Sequence, residues 1–192
     1  MIKVLSGLLL LIGFSLSALA SPIIIGKDQA PINAHDYKIL EEVALNAKIP
    51  IDNFRHLIRS DHFIVGPEGF LYRDRKKNGV VDNEDVAEFL TVVRADNAYT
   101  TDKNGYVNGI AIKKTDFNNI SILNKFKKIV AINLSDNQVA DIDLSDFPEL
   151  RFLRVAETNK LRSLTKIKNV NNLAFFSVRG LNTPNFKKFT GV

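Results

Sequence analysis

The chain has 192 residues, a net charge of +5 and no cysteine. Without cysteine there are no disulfides and no lipid-anchored lipoprotein. The charge is mild and lacks a dense basic cluster interleaved with stacking aromatics, so nucleic acid is not indicated as a partner.

Residues 1–20 read as a secretory signal peptide. Lys3 gives the basic start, Val4 to Leu16 is an apolar run, and Ala18-Leu19-Ala20 is a small-x-small cleavage site. The run is short for a membrane span of about 20 residues, so no span is expected once the leader is removed. The remaining residues, 21–192, are ample for one hydrophobic core. Export then places the protein in the periplasm or outside the cell.

Residues 21–100 are expected to form a mainly helical capping region with one hairpin. Ile23-Ile24-Ile25, between Pro22 and Pro31, suits a strand or a flexible lead. Asn33 to Lys48 reads as a helix capped by Asn33 or Asp36, with Tyr37, Leu40, Ala44 and Ala47 on one face. Pro50 ends it. Ile51 to Arg59 reads as a second helix with Phe54, Leu57 and Ile58 inward. Phe70-Leu71-Tyr72 is expected to pair with Val80-Val81 through a turn at Lys77-Asn78-Gly79. Residues 83–94 read as a third helix, with Val86, Phe89, Leu90 and Val93 as its apolar face. Asp102 to Gly105 then turns the chain.

Asp74 to Asp85 resembles an EF-hand loop. Asp74, Asn78, Asp82 and Asp85 would be calcium ligands, Gly79 would make the turn, and Val80 would offer its carbonyl. Two departures count against calcium. Lys76 stands where the family has Asp or Asn, and Asp85 stands where it has Glu. The other reading is a hairpin turn followed by a helix cap.

From residue 107 onward the chain repeats. Ile129, Ile132, Leu134, Asn137 and Val139 fit L-x-x-L-x-L-x-x-N-x-L. Val107, Ile110, Ile112, Thr115 and Phe117 give the same spacing earlier. Leu150, Leu153, Val155 and Leu161 give it later, and Leu173, Phe176, Val178 and Leu181 later still. The starts lie 22, 21 and 23 residues apart (107, 129, 150 and 173). Ile132 and Leu134 are two apart, so they share one face of a strand. Such a repeat leaves an apolar face that only its neighbours can cover. Asn137 falls in the turn, where its side chain can satisfy bending backbone. Thr115 holds that place in the first repeat, and Thr158 followed by Asn159 in the third. Apolar return limbs follow, such as Ile142, Leu144 and Phe147, then Leu164, Ile167 and Val170, ending at Phe186 and Phe189, with Lys187 and Lys188 on a polar outer face.

This pattern resembles the leucine-rich repeat family. The resemblance implies an α/β fold: a solenoid of about four repeats over residues 101–192, with a parallel sheet on its concave face and the helical region over its N-terminal end. The lack of cysteine points to a bacterial exported member. In this family the concave strand positions bind protein partners. Carried over, they include Lys113, Asn133, Arg151, Phe152, Arg154, Phe175, Ser177 and Arg179. Phe152 and Phe175 share a register, so their rings are expected side by side with arginines around them, the residue types that dominate interfaces.

Enzyme signatures are weak. His35, His56 and His62 make no metal-ligand spacing. Ser60-Asp61-His62 is contiguous, whereas a triad converges from separate segments. Gly66-Pro67-Glu68-Gly69 lacks the Lys and Ser or Thr of a phosphate loop. The expectation is a non-enzymatic, exported protein-interaction module without a cofactor. The alternative is a calcium-responsive or catalytic N-terminal region with the repeats as scaffold.

Overall fold

Two short strands come first among the described residues, β1 (Ile23–Ile25) and β2 (Pro31–Asn33), paired antiparallel. The structure, a computed structural model, describes residues 23–25, 31–57, 63–157, 161, 163–165, 173–179 and 188–189. The leader 1–20, Ile58 and Arg59, the Ser60-Asp61-His62 trio and the Thr158–Asn159 turn lie outside these residues. So do Ile167, Val170, Leu181, Phe186 and Lys187. Helix α1 (Ala34–Ala47) begins where Asn33 accepts a hydrogen bond from the His35 amide at 2.9 Å, which satisfies an otherwise orphaned donor. Leu40, Ala44 and Ala47 are buried as expected, with Ile39 and Val43 beside them. Asp36, also in the first turn, is fully buried and its carboxylate accepts from the Val107 amide at 2.8 Å. Burial pushes that carboxyl above its usual range.

The second expected helix is not there. After a single 3-10 turn, Ile51–Asn53, the chain becomes strand β3 (Arg55–His56). The Arg55 and Leu57 amides bond to the carbonyls of Asn97 and Tyr99, so a sheet edge supplies the partners that a helix would have supplied locally. Phe54 and Leu57 are both buried but enter different core layers, as odd spacing along an extended chain requires.

The expected hairpin is also re-paired. Strand β4 (Phe63–Val65) and strand β6 (Val86–Ala87) flank β5 (Leu71–Arg73) on its two sides, both antiparallel. Val80 and Val81 fall in the intervening loop, and Val80 is exposed. The third expected helix is a 3-10 helix, Glu88–Arg94, called the strap below. Residues 21–100 therefore hold one α-helix among the described residues, with strands and 3-10 turns in place of the others.

Strand β7 (Ala98–Thr101) turns through Asp102 to Gly105 into β8 (Val107–Ala111), antiparallel to it. Asp102 holds the turn by accepting from the Asn104 and Tyr106 amides. The expected boundary between residues 100 and 101 thus cuts a continuous strand. From β8 the sheet runs parallel through β9 (Ala131–Asn133) to the partner strands Phe152–Ala156 and Phe175–Arg179. Ile110 pairs with Ile132, Ile132 with Leu153, and Leu153 with Phe176, so register partners sit one sequence repeat apart. The return limbs make a second parallel sheet: β10 (Asp141–Asp143), then β11 (Phe152–Ala156) back in the first sheet, then β12 (Ser163–Thr165), β13 (Phe175–Arg179) in the first, and β14 (Lys188–Phe189) in the second. Among the described residues the first sheet has the order β13-β11-β9-β8-β7-β3.

Ile110, Ile112, Ile132, Leu134, Leu153 and Val155 from the first sheet meet Ile142, Leu144, Phe147 and Leu164 from the return limbs in one buried core, which α1 joins. At the corners after β8, β9 and β11 the backbone turns left-handed, at Lys114, Asp136 and Glu157 with φ of 56, 58 and 54°. These residues are one repeat apart. None is glycine, so the left-handed conformation carries a steric cost at each, and between the first two corners the Asn137 hydrogen bonds oppose it. Asn137 donates to the carbonyls of Ile112 and Ser135 and accepts from the Thr115 hydroxyl at 2.7 Å. The two residues in equivalent corner positions are thus bonded to each other.

Candidate functional site

The outer face of the first sheet, opposite the repeat core, carries the expected binding positions. Its registered rows are Ala98, Ala111, Asn133 and Arg154, and Thr100, Gly109, Ala131 and Phe152. Over β7, β8 and β9 these are small residues, and they are buried. What buries them is the strap. A 3-10 helix has three residues per turn, so Phe89, Val92 and Ala95, just past its end, fall in line. All three are buried in a second apolar layer with Ala98, Ala111 and Ala131. The expected apolar face of this segment used helical spacing, and three of its members, Val86, Leu90 and Val93, are only half-buried. Gly109 lies beneath the crossing. A Cβ there would meet the Thr100 hydroxyl at 2.6 Å and the Phe89 carbonyl oxygen at 3.1 Å.

Polar groups fasten the strap. The Asn133 side chain donates toward the carbonyls of Val92, Val93 and Ala95, at 3.3, 3.1 and 3.5 Å. Arg154 donates to the Val93 carbonyl at 3.0 Å. Asn133 is 1% exposed and is therefore withdrawn from the partner-binding set. Lys113 forms an ion pair with Asp96 at 3.3 Å, just beyond the strap. Arg151 lies with its guanidinium carbon 5.3 Å from the Phe70 ring centroid. Phe152 and Phe175 are register partners, but the Phe152 ring is half-buried against Phe89, centroids 5.7 Å apart. The side chains of Phe175 and Arg179 lie outside the described residues. Ser177 is half-buried. Small residues at Gly109, Ala111 and Ala131 are the signal in the sequence for a segment crossing this face.

The face opens toward β11. There the strap and the 74–86 loop border a cavity of about 400 Å³ lined by Arg75, Val86, Leu90, Val93, Arg94 and Phe152, with Thr91. The Thr91 hydroxyl donates to the Glu88 carbonyl.

The loop itself is closed on its own carboxylates. Asp74 accepts from the Asn78 and Gly79 amides at 3.1 and 2.8 Å. Asp85 accepts from Arg75 and Asp82 amides, and Asp82 from the Glu84 amide. Lys76 Nζ stands 3.0 Å from both Asp82 and Glu84. A cation is therefore already placed in the loop, supplied by the residue that departs from the calcium pattern. The Gly79 amide, chiefly, holds the Asp74 carboxyl below its usual range. The Glu84 amide, then the Lys76 ammonium, does so for Asp82. A lowered carboxyl stabilises the fold above its ordinary pKa, and that contribution is lost as pH falls from there through the lowered value. Calcium at millimolar concentration is expected to leave the melting temperature unchanged to within about 1 °C. A rise of several degrees in thermal unfolding would overturn the internal-cation reading.

Among the described residues, no group of three or more acidic or histidine side chains is gathered to hold a metal, and no helix is long and apolar enough to cross a membrane. His35 contacts Asp36 at 3.2 Å. His56 contacts the Thr101 hydroxyl at 2.9 Å and packs edge-on to Tyr99. No protein-family model, curated protein or solved structure matches the chain.

Proposed function

We propose that this is an exported, non-enzymatic recognition protein built on a short array of the leucine-rich repeat type, and that it holds a partner protein at the β11–β13 end of its sheet. The array reading is supported by parallel strands whose register partners are one sequence repeat apart. Export rests on Lys3, the apolar run Val4 to Leu16 and the Ala18-Leu19-Ala20 site.

One observation carries the choice of face. Burial on the outer face falls from the central strands β7, β8 and β9 toward β11 and β13. Ala98, Ala111, Ala131 and Asn133 are buried beneath the strap, whereas Arg151, Phe152, Arg154 and Ser177 keep partial exposure. A partner can therefore reach the far strands while the near ones serve as an internal packing surface. Half-exposed arginine beside an aromatic ring is a composition that concentrates binding energy.

Ser177→Arg places a long side chain on that end. Leu45→Arg does the same on α1, where Leu45 is 81% exposed, and serves as the control. Affinity capture from envelope and host-cell extracts is expected to yield a partner that Leu45→Arg retains and Ser177→Arg loses, with both variants melting like the parent. Equal retention by both would remove the β11–β13 end as the binding face.

A further inference from the structure

We propose that the cavity between the strap and β11 receives an acidic peptide segment of the partner, with one apolar side chain inside and its carboxylates on Arg75 and Arg94; this rests on the recognition role proposed above.

The cavity is divided chemically. Val86, Leu90, Val93 and Phe152 give it an apolar lining, and Arg75 and Arg94 stand on it as exposed cations. Its volume of about 400 Å³ lies in the range of sites that take a small ligand or an anchoring side chain. No acidic residue lines it.

Most of the nearby acids are engaged elsewhere, and Glu88 has one buried oxygen without a hydrogen-bond partner. Asp82 and Glu84 hold Lys76, Glu88 accepts from Arg73, and Asp96 pairs with Lys113. Asp85 accepts from two loop amides. No acidic side chain of the described residues forms an ion pair with Arg75 or Arg94. Arg154, nearby on β11, adds a third guanidinium whose Nε is buried without a hydrogen-bond partner. Arg75, Arg94 and Arg154 thus set three guanidinium groups about an apolar hollow, while Asp74 and Asp85 of the adjoining loop are turned to backbone amides. Guanidinium groups bind carboxylates through paired, charge-assisted hydrogen bonds, and Phe152, Leu90 and Val93 would desolvate the anchor that brings them there.

The neighbouring strap makes the hollow a stable one. Its C-terminal carbonyls are held by Asn133 and Arg154, so occupying the cavity does not require uncovering the sheet.

The test is selection of random displayed peptides on the full chain, followed by titration of a synthetic representative against the parent, Arg75→Glu/Arg94→Glu and Ser177→Arg. Arg75 and Arg94 are exposed, so the double variant is expected to melt like the parent. Enriched peptides are expected to carry two or more Asp or Glu around a single Leu, Ile or Phe. Their affinity is expected to fall at least tenfold in the double variant, and to return when the peptide's acids are changed to Lys. Peptides without acidic bias, weakened by Ser177→Arg and untouched by the double variant, would overturn the cavity assignment and leave the recognition face standing. Peptides that neither variant weakens would overturn both, and a selection without enrichment would overturn the cavity assignment.

Discussion

Phe89→Ala is expected to destabilise the protein by about 3–5 kcal/mol, the range for removing a buried aromatic ring, and to lift the strap from the sheet. Phe89 is 4% exposed. Its ring lies edge-on to Phe70 at 5.1 Å and tilted to Phe152 at 5.7 Å, and its backbone rests against Gly109. It is the largest side chain that the strap puts onto the outer face, above Gly109, Ala111 and Ala131, which are too short to fill the space left. The transfer loss and the cavity loss therefore add. Urea unfolding measures the total. Hydrogen exchange separates its parts, because the strap amides at 88–95 would lose protection while those of β9 and β11 kept theirs. A loss under about 1 kcal/mol, or uniform loss of protection across the sheet, would mean that the strap is not an independently docked element.

The contrast between the two halves of the chain shows what periodicity can carry. In the repeats each apolar position answers to an equivalent position one repeat away, so spacing alone located the strand cores Ile110, Ile132 and Leu153. The corner Asn137 was legible for the same reason. Helix α1 was legible because its cap and apolar face are both local. In residues 50–97 the partners are distant. Arg55 and Leu57 take theirs from Asn97 and Tyr99, and Leu71 to Arg73 is enclosed by strands on both sides. Apolar residues three apart then fit two structures equally well: one face of a helix, or opposite faces of a strand.

The strap hid behind the same ambiguity. Phe89 and Val92 are three apart, which suits an α-helix face and a 3-10 line alike, and only the flat landing surface distinguishes them. That surface was written in the sequence as Gly109, Ala111 and Ala131. Small residues at outward strand positions mark close approach by another backbone, yet on their own they do not say which segment approaches. The candidate site inherited this gap. Phe152 and Arg154 lie on the outer face, but their inward commitments, to Phe89 and to the Val93 carbonyl, depend on a segment some 60 residues earlier. Arg75 falls in the basic run Arg73, Arg75, Lys76 and Lys77, which reads as a solvated turn, and Arg94 lies in no repeat, so nothing local joins the two.

Asn137→Ala is expected to cost about 2–4 kcal/mol, because it strands several groups at once. Asn137 is 2% exposed. Its amide serves the Ile112 and Ser135 carbonyls, and its oxygen accepts from Thr115, whose own oxygen accepts from the Phe117 amide at 3.1 Å. A buried polar group left without a partner costs roughly 1–3 kcal/mol, and the network is shared, so the losses do not simply add. Thr115→Val keeps the volume and removes only the hydroxyl. It is expected to cost about 1 kcal/mol alone and less than that in the Asn137→Ala background, since its bonding partner is then gone. Asn137→Asp separates shape from donor capacity. A carboxylate has no proton to give the two carbonyls and is repelled by them, so this variant should be as unstable as the alanine at neutral pH. Its folded-state carboxyl would be raised, so the lost stability should return as pH falls through that raised value toward the ordinary carboxylate range. Urea unfolding across pH reads both effects. An Asn137→Asp variant as stable as the parent at neutral pH would show that the corner needs only an acceptor, and that the bond from Asn137 to the first repeat does not hold the turns in register.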